Sequence, residues 1–261
     1  MNLQLAGKRA FVSGSTQGIG FAIAKALLDE GASVIINGRD EAKVAAAVDT
    51  LSTGGANVEG IAADFAHPAQ VKLLLEQIGD IDILINNVGA FEIKPFADIS
   101  DDDWQRYFDV NVMSGVRLSR QVLPDMLARG WGRIVFVNSE SAVNVPADMI
   151  HYGASKAAML ALGNGLAKLT RGTAVTVNSI LGGPTYSDGV ATAVGQIAQS
   201  QGMDVADLKA AIAASNATSI LQRFIEPNEI ASLALYLASP LSSATNGAAV
   251  RADGGVLTGT I

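Results

Sequence analysis

Residues 9–20 read Arg-Ala-Phe-Val-Ser-Gly-Ser-Thr-Gln-Gly-Ile-Gly, a run that passes from strand to turn to helix. The segment Arg9–Ser13 predicts a buried strand, and the Ala-rich segment Gly18–Glu30 predicts the helix that follows it. Between them Gly14, Gly18 and Gly20 permit a tight turn and close approach of a phosphate group to the helix N-terminus. This pattern is typical of a dinucleotide-binding α/β domain. A purely structural glycine turn is the alternative.

The alternation of strand and helix continues along the chain. Short β-branched runs predict strands buried on both faces, and Ala- and Leu-rich amphipathic segments predict helices between them. The order predicts an α/β fold: one doubly wound Rossmann domain over residues 1–261, with a seven-stranded parallel sheet and helices on both faces. The predicted strands are Arg9–Ser13, Ser33–Asn37, Asn57–Ala62, Ile81–Asn86, Arg133–Asn138, Ala174–Ile180 and Ala248–Arg251. The predicted helices are Gly18–Glu30, Glu41–Leu51, Pro68–Ile78, Asp101–Arg129, Tyr152–Thr170 and Pro227–Ala238.

One long segment, Leu181–Ile225, interrupts this alternation with Ala- and Gln-rich helical pieces. Because it follows the carboxyl end of a strand, the segment predicts a lid or a pocket wall for substrate. A helical pair without a binding role is the alternative.

The composition excludes several classes of protein. Hydrophobic residues make up 49% of the 261 residues and charged residues 16%, which indicates a well-packed globular chain. Apolar runs are strand-sized, far below the roughly 20 residues of a membrane helix, and residues 1–5 lack the features of a secretory signal. The absence of cysteine favours the cytoplasm, and two histidines are too few for a zinc site. The net charge of −7, with scattered basic residues, indicates no nucleic-acid partner. We expect no membrane partner and no metal.

The end of the second predicted strand bears on the choice of cofactor. Asn37-Gly38-Arg39 lacks the carboxylate that would accept hydrogen bonds from the ribose of NAD. The planar guanidinium of Arg39 could instead bind a 2′-phosphate, which favours NADP(H), with NAD(H) possible. A solvated Arg39, or one that stacks on adenine, is the alternative.

Tyr152 and Lys156 are four residues apart in a helical segment, so both side chains lie on one face. A phenol has a pKa of about 10, and a neighbouring ammonium group lowers it. Ser139 lies thirteen residues before Tyr152, at the end of the fifth strand, where doubly wound sheets bind ligands. Tyr152 is therefore the predicted acid/base, and Ser139 the predicted partner of the substrate oxygen.

Together these residues resemble the short-chain dehydrogenase/reductase family over essentially the whole chain, in particular members like the 3-oxoacyl-carrier-protein reductases. The turn with Gly14, Gly18 and Gly20 has that family's glycine spacing, and Asn86-Asn87-Val88-Gly89 is similar to its Asn-Asn-Ala-Gly motif. Asp64 resembles the acid that contacts adenine. Gly182-Gly183-Pro184-Thr185 resembles the Pro-Gly segment beside the nicotinamide amide, with the order of the two residues reversed.

The resemblance implies hydride transfer between NADP(H) and a carbonyl or secondary alcohol of a small or medium substrate. Tyr152 would exchange the proton while Ser139 positions the oxygen. Lys156 would lower the tyrosine pKa and hold the nicotinamide ribose, and Asn111 would support a water that connects Lys156 to solvent. The implied catalytic residues are Asn111, Ser139, Tyr152 and Lys156. The implied cofactor-binding residues are Gly14, Ser15, Thr16, Gln17, Gly18, Ile19, Gly20, Arg39, Asp64, Phe65, Asn87, Gly89, Tyr152, Lys156, Pro184 and Thr185.

Several polar and aromatic residues have plainer interpretations. Glu140 is expected to point away from the pocket, since side chains alternate along an extended segment, although a pocket-facing carboxylate would favour a cationic or polyhydroxy substrate. His151 is expected at the start of a helix or at the pocket rim, and His67-Pro68 at a helix entry. The aromatic residues Trp104, Tyr107 and Phe108 are expected in the core or in a subunit contact.

Three alternatives remain open for the function. A 3-oxoacyl-carrier-protein reductase is one, although Gly130 and Thr173 stand where those enzymes use exposed arginines. A sugar or polyol dehydrogenase is the second. A catalytically silent cofactor-binding protein is the third, but it would have no need of Tyr152 and Ser139. The resemblance also implies a homotetramer (or homodimer), with the segments Asp101–Arg129 and Tyr152–Thr170 pairing between subunits.

Overall fold

The computed structural model describes residues 2–260, and their strands form one parallel sheet of seven. The spatial order is β3-β2-β1-β4-β5-β6-β7, so the α/β doubly wound fold predicted from the sequence is confirmed. The strands are β1 (Arg9–Val12), β2 (Ser33–Gly38), β3 (Val58–Ala62), β4 (Ile83–Asn86), β5 (Trp131–Ser139), β6 (Ala174–Gly182) and β7 (Ala249–Ala252).

The order of strands reverses at β1. The chain runs outward from β1 through β2 to β3, then returns to place β4 on the other side of β1, where Val12 pairs with Ile85. Loops that follow β1 and β4 therefore leave the sheet in opposite directions and open a crevice at its carboxyl edge. At the same edge Ser139, the last residue of β5, pairs with Gly182, the last residue of β6.

Helices cover both faces of the sheet. In β1, Ala10 and Val12 pack into one apolar layer while Phe11 packs into the other, which is why the strands read as continuous apolar runs. The first layer lies beneath α1 (Gly18–Asp29), α2 (Glu41–Leu51) and α9 (Pro227–Ala238). The second lies beneath α3 (Pro68–Gln77), α5 (Met113–Arg129) and α6 (Ile150–Leu169). A short helix, α4 (Asp101–Tyr107), precedes α5.

The prediction of one helix over Asp101–Arg129 is wrong. A π-helical turn at Phe108–Val112 separates α4 from α5. The wider turn contains the fully buried Asn111, whose side chain bonds outside its own helix. The turn contains no proline or glycine, and the helical spacing of apolar residues gives no signal of it either. Another difference is that α6 begins at Ile150, two residues before the predicted start.

The segment between β6 and α9 contains two helices, α7 (Asp188–Gln201) and α8 (Val205–Ser215). Its two ends are joined: Thr185 pairs with Ile225 in a parallel bridge, and the Ile225 N–H donates to the Pro184 carbonyl at 2.9 Å. Residues 183–226 are therefore an excursion whose two ends meet beside the carboxyl end of β6. We call it the β6–α9 excursion.

Within residues 2–260, every helix is too short or too polar to span a membrane. The same residues contain no group of three His, Asp or Glu side chains placed to hold a metal ion.

Candidate active site

The glycine-rich turn after β1 is held by hydrogen bonds to its neighbours. The Gly14 N–H donates to Asn37 Oδ1 at 3.3 Å, and the Ser15 hydroxyl donates to the Val12 carbonyl at 2.6 Å. Gly14 has a φ of 61°, which favours glycine. A Cβ at Gly20 would lie 2.4 Å from the Gly14 carbonyl oxygen, so α1 can pack this closely on the turn only with glycine there.

The N-terminus of α1 already binds an anionic group. Gln17 is the N-cap residue, but its side chain makes no capping hydrogen bond. Instead the Gly18 N–H donates to Asp188 Oδ2 at 2.6 Å, and Asp188 lies in the first turn of α7. A helix N-terminus carries partial positive charge and donors without partners, so this position fits a phosphate group as it fits the carboxylate. The residues of the turn therefore fit a dinucleotide.

The end of β2 leaves one basic side chain at the expected ribose position. A Cβ at Gly38 would lie 2.5 Å from Thr16 Cγ2, so a larger residue there would require Thr16 to move. Arg39 follows and is exposed. The Asp40 carboxylate accepts a hydrogen bond of 3.0 Å from the Lys43 N–H, which caps α2.

Two further residues predicted to contact cofactor follow β3. Asp64 is half-buried and its carboxylate accepts the Ala66 N–H at 2.9 Å. The Phe65 side chain is buried in the apolar layer beneath α3, so only its backbone is available to a ligand.

The loop after β4 is tied to the glycine-rich turn. Asn87 Nδ2 donates to the carbonyls of Ser13 and Gly14 at 3.1 and 2.8 Å, and the Asn87 N–H donates to the Ser13 hydroxyl at 2.9 Å. Asn87 thereby fixes the width of the crevice. Gly89, also in this loop, is exposed, and a Cβ built on it would lie 3.2 Å from Lys156 Nζ.

Ser139, Tyr152 and Lys156 lie together at the carboxyl end of β5. Lys156 Nζ lies 5.8 Å from the centre of the Tyr152 ring and donates to the Val137 carbonyl at 3.2 Å. Asn138 joins the strand to α6, since its Nδ2 donates to the Lys156 carbonyl at 3.1 Å and its Oδ1 accepts the Ser139 N–H at 2.9 Å. The three predicted reacting side chains are therefore brought to one place.

Asn111 connects the β4 loop to α6 behind these groups. Its Oδ1 accepts the Ala90 N–H at 2.7 Å, and its Nδ2 donates to the Ala90 carbonyl at 3.0 Å and to the Ser155 hydroxyl at 2.9 Å. Since Ser155 precedes Lys156, Asn111 supports the turn of α6 that carries the lysine.

The expectation that Lys156 lowers the pKa of Tyr152 is wrong for this structure, because burial shifts both titratable groups toward their neutral forms. Burial raises the pKa of Tyr152 to about 12, the nearby Ser139 hydroxyl opposes this shift, and the negative charge of Glu140 adds to it. Burial lowers the pKa of Lys156 to about 8, against the opposing effect of Glu140. At neutral pH the Tyr152 phenol is therefore protonated and able to donate its proton.

The expectation that Glu140 points away from the pocket is wrong. The chain leaves β5 in a short 3₁₀ turn over Glu140–Ala142, so the alternation of an extended strand stops at Ser139. Glu140 Oε2 accepts a hydrogen bond of 2.6 Å from the Ser139 hydroxyl. Burial raises the pKa of Glu140, although the hydrogen bond from Ser139 opposes the shift.

Two aromatic residues that follow the start of α4 pack around His151. The ring centroids of Tyr107 and His151 are 4.1 Å apart, and those of Trp104 and His151 are 6.2 Å apart. His151 is fully buried rather than at a rim, and burial lowers its pKa. Tyr107 is a core residue, whereas Phe108 is partly exposed.

Sequence reasoning missed Asn37, Asn138 and Asp188 as functional residues. Both asparagines stand at or near the carboxyl ends of strands that border the crevice, and a buried amide at a strand end is a signal that could have found them. Asp188 has no such signal, because its contact with Gly18 joins residues 170 positions apart.

Known proteins share this arrangement. The sequence profile of the short chain dehydrogenase family matches residues 8–197. The chain belongs to the short-chain dehydrogenase family. The uncharacterized oxidoreductase YvrD of Bacillus subtilis is 45% identical over 261 residues, covering 98% of this chain and 99% of the relative. The D-beta-hydroxybutyrate dehydrogenase of Cupriavidus necator is 32% identical, covering 96% and 98%.

The fold of this short-chain dehydrogenase is similar to that of L-sorbose reductase from Gluconobacter frateurii, solved in complex with NADPH and L-sorbose. The TM-score is 0.94 and the identity 30%, over 99% of this chain and 100% of the reductase. This short-chain dehydrogenase is thus an NAD(P)-dependent oxidoreductase that interconverts a carbonyl and an alcohol.

Proposed function

We propose that this short-chain dehydrogenase uses NADP(H) to reduce a ketone of a small or medium substrate, with Tyr152 as the proton donor. The observation that carries the proposal is the exposed Arg39, which directly follows Gly38. Its guanidinium offers planar donors to a 2′-phosphate, and the Asp40 carboxylate is engaged in capping α2. The similarity to a reductase solved with NADPH supports the same choice.

The side chains at the carboxyl end of β5 have separate roles in the proposed reaction. When bound, the cofactor supplies the hydride that adds to the carbonyl carbon. As the C=O π bond becomes a lone pair on oxygen, Tyr152 gives its phenolic proton to that oxygen, and Ser139 positions the oxygen. Lys156 holds positive charge beside the phenolate that remains, and Asn111 supports a water through which the proton is replaced from solvent. Oxidation of an alcohol runs through the same groups in reverse.

The remaining roles concern the cofactor. Residues 14–20 at the start of α1 would bind its phosphates, and Asp64 with the backbone of Phe65 would lie at adenine. Asn87 and Gly89 would border the nicotinamide half, with Lys156 and Tyr152 at its ribose. The carboxamide would meet Pro184 and Thr185, although the Thr185 hydroxyl donates to the Gly183 carbonyl at 2.9 Å here.

Titration with NADPH and NADH tests the choice of cofactor. The Arg39→Ala variant should bind NADPH about tenfold or more weakly, because a charged hydrogen-bond partner of the phosphate is lost, and NADH with unchanged affinity. Arg171→Ala is the matched control: it removes an exposed arginine between α6 and β6, at the opposite edge of the sheet. The NADP(H) preference would be contradicted if wild type bound NADPH and NADH with equal affinity and the Arg39→Ala variant left both affinities unchanged.

We further propose a homotetramer (or homodimer) in which α5 and α6 pair between copies. Support comes from the exposed apolar side chains of Phe108 and Leu169, which lie beside α5 and at the end of α6. Light scattering on the purified protein tests this, and a monomer at micromolar concentration would contradict it. A cytoplasmic location remains a prediction from the sequence.

A further inference from the structure

Glu140 places a carboxylate beside the reacting groups. Its Oε2 accepts the Ser139 proton at 2.6 Å. Its negative charge adds to the effect of burial, which raises the pKa of Tyr152, and opposes the effect of burial, which lowers the pKa of Lys156. The proton exchange proposed for Tyr152 does not use this carboxylate. Because burial of an acid costs free energy, its position at the reacting oxygen indicates a role toward the substrate.

The carboxylate controls which way Ser139 can bond. The single Ser139 proton is given to Glu140, while the Ser139 oxygen accepts the Ser141 N–H at 3.1 Å. A ketone oxygen can only accept, so it can use the Ser139 proton only when Ser139 gives up its bond to Glu140. The Ser141 hydroxyl also points to Glu140 Oε1, but at 3.5 Å this contact is too long to replace that bond. A hydroxyl group on the carbon next to the ketone can replace it, since a carboxylate accepts several hydrogen bonds.

The surrounding loops contain no unpaired cation to balance an anionic substrate. In residues 87–100, 140–149 and 183–226, all within the described part of the chain, the basic residues are Lys94, Lys209 and Arg223. Lys94 pairs with Asp103 at 2.7 Å, Lys209 with Glu226 at 3.4 Å, and Arg223 with Glu229 at 2.7 Å. A substrate carboxylate close to Ser139 would therefore meet Glu140 with only the buried Lys156 to offset the repulsion.

We propose that Glu140 selects neutral polyhydroxy ketones as substrates and rejects ketones that carry a carboxylate near the reacting carbon. This inference rests on the proposed function. A substrate hydroxyl donates to Glu140, which releases the Ser139 proton toward the ketone oxygen, while a substrate carboxylate is repelled. The chain resembles both a reductase of L-sorbose, which is neutral, and a dehydrogenase of hydroxybutyrate, which is an anion, so overall similarity does not choose between these classes.

Steady-state kinetics with a matched pair of ketones test the inference. L-Sorbose and 2-keto-L-gulonate are both polyhydroxy ketones with the carbonyl at the second carbon, but only the second compound carries a carboxylate, directly beside that carbonyl. We expect wild type to have a kcat/KM for L-sorbose about tenfold or more above that for 2-keto-L-gulonate, from like-charge repulsion at Glu140. In Glu140→Gln the ratio should fall by about fivefold or more, mainly because the activity on the anion rises. A third ketone, 2-hexanone, lacks the hydroxyl groups and should be reduced more slowly than L-sorbose by wild type.

The matched control is Glu76→Gln, which removes the same charge from an exposed acid near the C-terminal end of α3, outside the loops that surround the site. It should leave the ratio unchanged. The inference would be overturned if the ratio did not change in Glu140→Gln, or if it fell equally in both variants. It would also be overturned if wild type turned over 2-hexanone or the anion faster than L-sorbose. Reduction of other ketones with NADPH, but of neither sugar, would also overturn it while leaving the proposed function intact. Failure of every ketone with NADPH would instead contradict the proposed function.

Discussion

Asp188 and Gly18 are joined by a hydrogen bond of 2.6 Å between the aspartate Oδ2 and the glycine N–H. The bond ties the β6–α9 excursion to the first turn of α1, where the sequence predicts the cofactor phosphates to bind. The acidic side chain thus occupies a donor that a phosphate group would also use, and its charge has the same sign as the phosphate.

The change Asp188→Asn should therefore tighten NADPH binding. The amide oxygen can still accept the Gly18 N–H, so the excursion keeps its contact, but the repulsion of the phosphate is removed. We expect the Kd for NADPH to fall by about threefold to tenfold, measured by fluorescence titration. Asp207→Asn is a suitable control, because Asp207 is an exposed acid in the first turn of α8. Weaker binding in Asp188→Asn would instead mean that the carboxylate holds the excursion closed over the cofactor.

Replacing Asn111 by Ala should destabilise the protein. The change leaves the N–H and carbonyl of Ala90 and the Ser155 hydroxyl without their present partner. We expect the free energy of unfolding to fall by about 1–3 kcal/mol, measured by urea denaturation, together with a loss of turnover. Ser114→Ala, which removes only a 3.4 Å bond to the Asn111 carbonyl, should cost less. Equal stability of the two variants would show that Asn111 does not support α6 as described.

Alcohol oxidation should depend on pH much more steeply than ketone reduction. Reduction uses the protonated phenol, and burial raises the pKa of Tyr152 to about 12, so this form persists from about pH 6 to about pH 9. Oxidation uses the phenolate, whose fraction rises about tenfold per pH unit below that pKa. The rise should lessen above about pH 8, since burial lowers the pKa of Lys156 to about 8 and the lysine then loses its charge.

Profiles of kcat/KM in the two directions measure this. Because the reaction releases a proton on oxidation, the ratio of the two values must change with pH in any case. The buried, protonated Tyr152 predicts that this change appears in the kcat/KM of oxidation, while the kcat/KM of reduction stays nearly constant. A reduction rate that falls tenfold per pH unit between pH 6 and pH 8, with oxidation constant, would contradict the assignment of a neutral phenol.

The fold could be predicted from the sequence because its signals are local. The glycine turn, the buried strands and the spacing from Tyr152 to Lys156 each depend on neighbouring residues, and the structure brings Ser139, Tyr152 and Lys156 together as that spacing indicates. Their catalytic roles remain a proposal.

The features that were missed depend on conformation or on distant contacts. The π-helical turn at Asn111 is stabilised by Ala90, from another loop, and no residue pattern marks it. Glu140 turns toward Ser139 because the chain leaves the strand one residue earlier than an extended pattern assumes. Asp188 reaches Gly18 only because the β6–α9 excursion folds back over the sheet edge.

The central claim is that Tyr152 supplies the proton in an NADPH-dependent reduction, and the Tyr152→Phe variant tests it most directly. With NADPH and a ketone that wild type reduces, kcat should fall about 10²–10⁴-fold, because general acid catalysis by the phenol is lost. The Kd for NADPH should change little, and Tyr236→Phe, at an exposed tyrosine of α9, should behave as wild type. Turnover by Tyr152→Phe within about twofold of wild type would contradict the account.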